Sequence, residues 1–137
     1  MLLFIHMELL YKYIEELDTD TSINEFNVRD VQMKLPAIKH KWAGRQVRAK
    51  IEMSQLKGER VSLIDRMTDK LIEQSPVTIT KPTAKQRVLS SDAIKQMDKK
   101  IQEYHHIIEF LEKTDKTLSS MTFDIRNLTE IMKLETQ

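Results

Sequence analysis

The residues of this chain best suited to chemistry are its cations. Between Lys34 and Arg60 the sequence reads KLPAIKHKWAGRQVRAKIEMSQLKGER, with eight basic residues (Lys34, Lys39, Lys41, Arg45, Arg48, Lys50, Lys57 and Arg60) against Glu52 and Glu59, a local net of +6. The whole chain has a formal net charge of only +1, and residues 1–30 lean the other way, with seven acidic side chains against two basic ones. A basic segment that encloses an aromatic ring suits a polyanion. Lysine and arginine neutralise phosphates and give salt-dependent affinity, and a ring stacks on a base for about 1–3 kcal/mol. The candidate contacts to single-stranded nucleic acid are therefore Lys39, Lys41, Arg45, Arg48, Lys50, Lys57 and Arg60, with Arg66 beyond them and Trp42 as the stacking ring. Trp42 also falls on an apolar helical seam, so a core or interface role is its alternative. The bland reading of the cations is a solvated helix face, and the skew towards positive charge favours a polyanion surface over it.

Other chemistry finds no support. The absence of cysteine excludes disulfides, thiolate metal sites and thiol catalysis, and fits a reducing compartment. Gly44 and Gly58, the only glycines, are fourteen positions apart and fit neither a Walker loop nor a dinucleotide fingerprint. His105, His106 and Glu109 share a helical turn, but with no further ligand nearby they read as a solvated face and no metal is expected. Nothing resembles a helix-turn-helix or a zinc finger, so sequence-specific duplex readout is not expected. The chain reads as a non-enzyme without a cofactor.

The elements that carry these residues must be helices. Two glycines and three prolines among 137 residues are too few for the tight turns of sheet proteins, and 31% charged residues are ordinary for long helices. Leu9, Leu10, Tyr13, Ile14 and Leu17 give residues 8–17 an amphipathic helical spacing, which Asp18-Thr19-Asp20-Thr21-Ser22 breaks. Val28, Val31, Leu35, Ile38 and Trp42 alternate three and four apart as a heptad seam. Pro36 predicts a kink or restart within it, and Ala43-Gly44 is a second weak point. The pattern resumes less cleanly through Val47, Ile51, Leu56, Leu63, Ile64, Met67 and Leu71 and must end by Gln74-Ser75-Pro76.

Residues 76–89, with alternating Val77-Thr78-Ile79-Thr80 and an interrupting Pro82, read as an extended connector or a single edge strand; Lys81, Lys85 and Arg87 add three positive charges there with no acid. Ser90-Ser91-Asp92 is an N-cap cluster. A seam follows at Ile94, Met97, Ile101, Tyr104, Ile108 and Leu111, slips in phase near Thr114-Asp115, and renews at Leu118, Met121, Ile125, Leu128 and Met132. That is either one stuttered helix or two helices meeting near 117–120. The surplus apolar residues Ile107, Phe110, Phe123 and Ile131 predict contacts with other copies of the chain. No apolar run approaches the ~18 residues of a membrane span. The opening MLLFI is too short for a secretory signal, and Met7 is a second candidate start, so a soluble, cytosolic protein is expected.

The expectation is one all-α domain with long helices and heptad-like seams, assembling as a homo-oligomer. A basic half, the one expected to face nucleic acid (DNA, by the resemblance below), spans 25–74, a short extended linker 75–89, and an oligomerisation half 90–137. The self-association seam comprises Ile94, Met97, Ile101, Tyr104, Ile108, Leu111, Leu118, Phe123, Ile125 and Leu128.

Several of these residues together resemble the UvsY recombination mediators of large tailed bacteriophages, over nearly the whole chain. The likeness rests on Lys41-Trp42 with Asp18 or Asp20 and Ile23 upstream, on Glu52-Met53, and on Val88-Leu89-Ser90. Asp98, Ile101, Tyr104, Ile107 and Phe110 continue it, and Phe123-Asp124-Ile125-Arg126 closes it. The resemblance implies single-stranded DNA binding by a ring-like or open-barrel homo-oligomer in the cytoplasm of an infected bacterial host. It also implies a phage recombinase and a phage single-strand-binding protein as partners, with assembly through the C-terminal half. One motif departs: the family's Leu-Lys-Ala-Arg DNA-binding motif falls near Leu63-Ile64-Asp65-Arg66, where the leucine and Arg66 remain. The rival reading is a coiled-coil adaptor whose basic face meets an acidic protein surface, the acidic N-terminus of a neighbouring copy included.

Overall fold

A computed structural model describes the backbone of residues 2–136 and the side chains from Met7 to Thr136. Its elements are α1 (Leu2–Asp20), α2 (Val28–Gln74), α3 (Lys81–Leu89) and α4 (Asp92–Glu135), with no strand among the described residues. At 1.5 Å per residue, the 47 residues of α2 and the 44 of α4 make rods of roughly 70 and 66 Å. They run antiparallel: Lys39 lies across from Thr122, Lys50 from Glu112 and Arg60 from Asp98.

The main core lies where α1 folds back onto this hairpin. Val28, Val31, Leu35, Trp42 and Ala49 of α2 meet Ile107, Ile108, Leu111, Leu118, Met121 and Ile125 of α4, and Leu9, Leu10, Tyr13 and Leu17 of α1 pack against them. A smaller core at the other end joins Ile64, Val88 and Ile94 from α2, α3 and α4. The reversal between α1 and α2 is held by two asparagines. The Asn24 side-chain oxygen accepts from the Phe26 and Asn27 amides at 2.8 and 3.0 Å, and the Asn27 side-chain oxygen accepts from the Asn24 amide at 2.7 Å.

Three sequence expectations need correction. The helix does not restart at Pro36 but runs on through it. This proline, in the third turn of α2, and Gln32, whose carbonyl loses its helical donor, are both exposed, so water can satisfy that carbonyl. Residues 81–89 are helical, and only the stretch before them is extended. Thr80 caps α3 by accepting from the Thr83 amide at 3.4 Å, and Pro82 sits in its first turn, where a proline starts a helix. The phase slip falls earlier than Thr114, between Tyr104 and Leu111, where Ile107 and Ile108 are both buried, and it lies within one helix. The buried row runs Ile107, Leu111, Thr114, Leu118, Met121 and Ile125 in unbroken four-three alternation along a single α4. Thr114 fills the seam position, its hydroxyl donating to the Phe110 carbonyl at 2.8 Å, so a polar residue stands where the pattern asks for an apolar one.

The expected C-terminal stops and starts do appear. α2 ends at Gln74 and α4 begins at Asp92. The Ser91 side chain does not cap α4, however; it donates backwards to the Val88 carbonyl at 2.6 Å and closes α3.

Candidate nucleic-acid interface

The basic stretch of α2 divides into cations that the fold neutralises and cations that it leaves alone. Trp42, 2% exposed, anchors the first group. Tyr13 and Phe110 meet its ring edge-to-face at centroid distances of 5.5 and 6.2 Å. Its indole N–H donates to Asp20 at 2.8 Å, and the same carboxylate oxygen accepts from Lys41 Nζ at 2.6 Å. Arg45 lies 4.6 Å from the Trp42 ring and 4.7 Å from the Tyr13 ring, and its guanidinium grips Glu16 with both nitrogens. The hydrogen bond from Arg45, outweighing partial desolvation, holds the Glu16 carboxyl below its usual range, with the charges of Arg45 and Lys41 adding to the effect. The acidic lead-in thus folds onto the basic stretch of its own chain.

The structure therefore alters the roles expected for several candidates. Trp42 is enclosed and offers no face to a base. Lys41 and Arg45 tie α1 to α2. Arg60 pairs with Asp98 of α4 at 2.5 Å, and Lys39 donates to Thr122 at 3.3 Å. Lys50 makes a loose, half-exposed pair with Glu112 at 3.7 Å. Arg48, Lys57 and Arg66 have no side-chain ion pair or hydrogen bond to any described residue. Arg48 and Arg66 are eighteen residues, five helical turns, apart, which puts them on one face at a separation of about 27 Å. Lys57 lies on the opposite border of the helix. Ile64, in the Leu63-Ile64-Asp65-Arg66 stretch, is buried against Val88 and Ile94.

A second group of cations lies outside the stretch that charge counting singles out, although its signal is present in the sequence. Lys81, Lys85 and Arg87 all project from α3, which carries no acidic residue and whose sequence pattern suggests a connector. Arg87 and Lys70 of α2 border a shallow cavity of about 390 Å³ with an apolar floor of Met67, Leu71 and Val88 and with Gln74 and Ser91 at its edge. Cations over an apolar floor can hold a phosphate while a base or sugar covers the floor. None of these four cations is paired with a described residue.

The self-association seam is largely internal. Ile94, Ile108, Leu111, Leu118 and Ile125 are buried in the chain's own core; Met97, Ile101, Tyr104 and Leu128 are half-buried. Two of the surplus residues, Ile107 and Phe110, are also committed inside the chain, whereas Phe123 and Ile131 remain exposed. The Tyr104 hydroxyl donates to Glu52 at 2.9 Å; burial first, then this bond and the carboxylate's charge, push its pKa up to about 12. His105 and His106 are exposed, and no cluster of three or more His, Cys, Asp or Glu among the described residues is placed to hold a metal. No helix among them is long and apolar enough to cross a membrane.

This geometry defines an all-α protein built on one long antiparallel helical hairpin, with an N-terminal helix locked across one end and, towards the other, a group of cations that form no ion pair with a described residue. Residues 16–136 match the family described as "Recombination, repair and ssDNA binding protein UvsY", and the chain belongs to that family. Two crystal structures of the bacteriophage T4 recombination mediator protein UvsY share the fold. The type IV lattice gives a TM-score of 0.76 at 16% identity, covering 92% of this chain and 98% of that one. The type II lattice gives 0.75 at 16% identity, covering 93% and 97%. No curated protein sequence matches the chain. Family membership supports a role in recombination and single-stranded DNA binding.

Proposed function

We propose that this protein is a single-stranded-DNA-binding recombination mediator that helps load a phage recombinase onto DNA covered by single-strand-binding protein. It acts without catalysis, as a homo-oligomer, in the cytoplasm of the infected host. The observation that carries the reading, beside the family match, is the set of cations that folding leaves without acidic partners. Arg48 and Arg66 form a row along α2, and Lys70, Lys81, Lys85 and Arg87 gather at the α2–α3 junction. Individually such contacts are weak and salt-sensitive; repeated around an assembly they hold a strand by avidity. A strand so held is withdrawn from the single-strand-binding protein and presented to the recombinase. Phe123, exposed on α4, is the member of the C-terminal seam whose ring is available to a neighbouring copy.

The test is titration with oligo-dT at several salt concentrations. Affinity is expected to fall by orders of magnitude as salt rises, because the logarithm of the binding constant falls against the logarithm of salt by about 0.7 for every phosphate neutralised. Lys70→Glu/Arg87→Glu and Arg48→Glu/Arg66→Glu should each flatten that slope by roughly 1–1.5. A folded, oligomeric protein that fails to bind at low salt would sink the mediator reading and leave the coiled-coil adaptor.

A further inference from the structure

Both glycines of the chain lie on the same exposed face of α2, the one turned away from the core. They belong to a second repeat: Gly44, Val47, Ile51, Ser54, Gly58 and Val61 alternate three and four apart, as a heptad seam does. Val47, Ile51 and Val61 are 57, 53 and 60% exposed, more than a single chain needs to leave in water along one line. A side chain built at either glycine would meet nothing within 4 Å, and neither backbone has a positive φ. Packing inside the chain therefore does not call for glycine, and neither does backbone conformation. In a helix interior glycine is unfavourable, and close approach by another backbone is what it permits.

The borders of this face select the occupant. Arg48 flanks it on one side, with Glu52 and Glu59 behind it, and Lys50 and Lys57, seven residues apart, on the other, Lys50 only loosely engaged by Glu112. A second α2 laid on it antiparallel would set Lys50 against Lys57, so on that border the partner surface is acidic as well as apolar. The chain carries such a surface on the outer side of α1. Tyr11 and Ile14 are exposed there with Asp18, beside Glu8 and Glu15, which are also seven residues apart, have no ion pair with any described residue and outnumber the single cation between them, Lys12. The 19 residues of α1, roughly 28 Å, are long enough to cover the roughly 21 Å from Gly44 to Gly58.

We propose that the outer face of α1 from one copy docks on the Gly44–Val61 face of α2 in the next, with Glu8 and Glu15 set against Lys50 and Lys57. The inference rests on the homo-oligomeric reading above and supplies a contact in the N-terminal half. Two different patches meet, so the contact is heterologous and propagates into a ring or an open helical array. Arg48 and Arg66, on the border away from Lys50 and Lys57, stay available to a strand.

The test is sedimentation velocity of the full chain without DNA, with circular dichroism melting alongside. Gly44→Leu/Gly58→Leu should keep its helicity and melt no lower than the parent, while its assembly constant weakens at least tenfold. Glu8→Lys/Glu15→Lys should weaken assembly too, and adding Lys50→Glu/Lys57→Glu to the same chain should restore it. Undiminished assembly of the glycine variant, or no restoration by the charge exchange, overturns the contact while leaving the oligomer standing. A parent that is monomeric at every concentration overturns both, and oligo-dT binding of that monomer then tests the DNA reading by itself.

Discussion

At the α1 end, three helices close around Trp42, and the cations nearest its ring, Lys41 and Arg45, are answered by Asp20 and Glu16. At the α3 end, a core of Ile64, Val88 and Ile94 is bordered by Lys70, Lys81, Lys85 and Arg87, which no described acid answers. The same residue types serve two purposes. Where a carboxylate is folded against them, cations hold helices together, and their charge is cancelled before any ligand arrives. Where none is, the charge remains available to solvent and to phosphate. Counting charge along a sequence does not separate these cases, because it does not know which helix folds back on which.

The comparison breaks most visibly at its apolar centres. Trp42→Ala should cost about 3–5 kcal/mol in urea denaturation, because the ring holds Tyr13 and Phe110 as well as the indole hydrogen bond. Ile94→Ala should cost about 2–4 kcal/mol and, at the thinner core, should accelerate amide exchange in α3 before it affects α1. Asp20→Ala leaves a buried indole N–H without its acceptor and is expected to cost about 1–3 kcal/mol by the same denaturation.

A pH titration sharpens the contrast further. The ionised Glu16 favours the folded chain, so its contribution is in place above the ordinary value of 4.5 and is lost as pH falls through the depressed one. Arg45→Gln should remove most of that acid dependence. The smallest stability effect belongs to Arg48→Gln/Arg66→Gln, within about 0.5 kcal/mol of the parent in the melt, yet with weaker binding of oligo-dT.

Much of the hairpin was legible because apolar periodicity survives in long helices. Val28, Val31, Leu35, Ile38 and Trp42 announced the seam of α2, and Pro76 announced its end. Misreadings arose where a residue has a meaning set by position. Pro82 breaks a helix from within and begins one from its first turn, and Thr80, two residues earlier, decides which. Thr114 looked like a gap because its hydroxyl is polar, although it bonds to its own helix and buries its methyl like an aliphatic neighbour. The candidate site was legible as a charge excess but not as an arrangement. Some residues that carried the family likeness prove to be ties between helices: Asp20 with Lys41 and Trp42, Glu52 with Tyr104, and Asp98 with Arg60.

The length of α2 and α4 has a consequence for how the molecule moves through water. Its surface of 9900 Å² exceeds the ~7,500 Å² typical of a compact protein of 16.2 kDa, as expected of a rod. A rod drags more than a sphere of equal mass, so a lone chain should elute early from a sizing column and pass for a heavier species against globular standards. Light scattering, which weighs without regard to shape, should return the true mass. The packed indole of Trp42 turns with the whole rod, so its fluorescence depolarisation should report the slow end-over-end rotation.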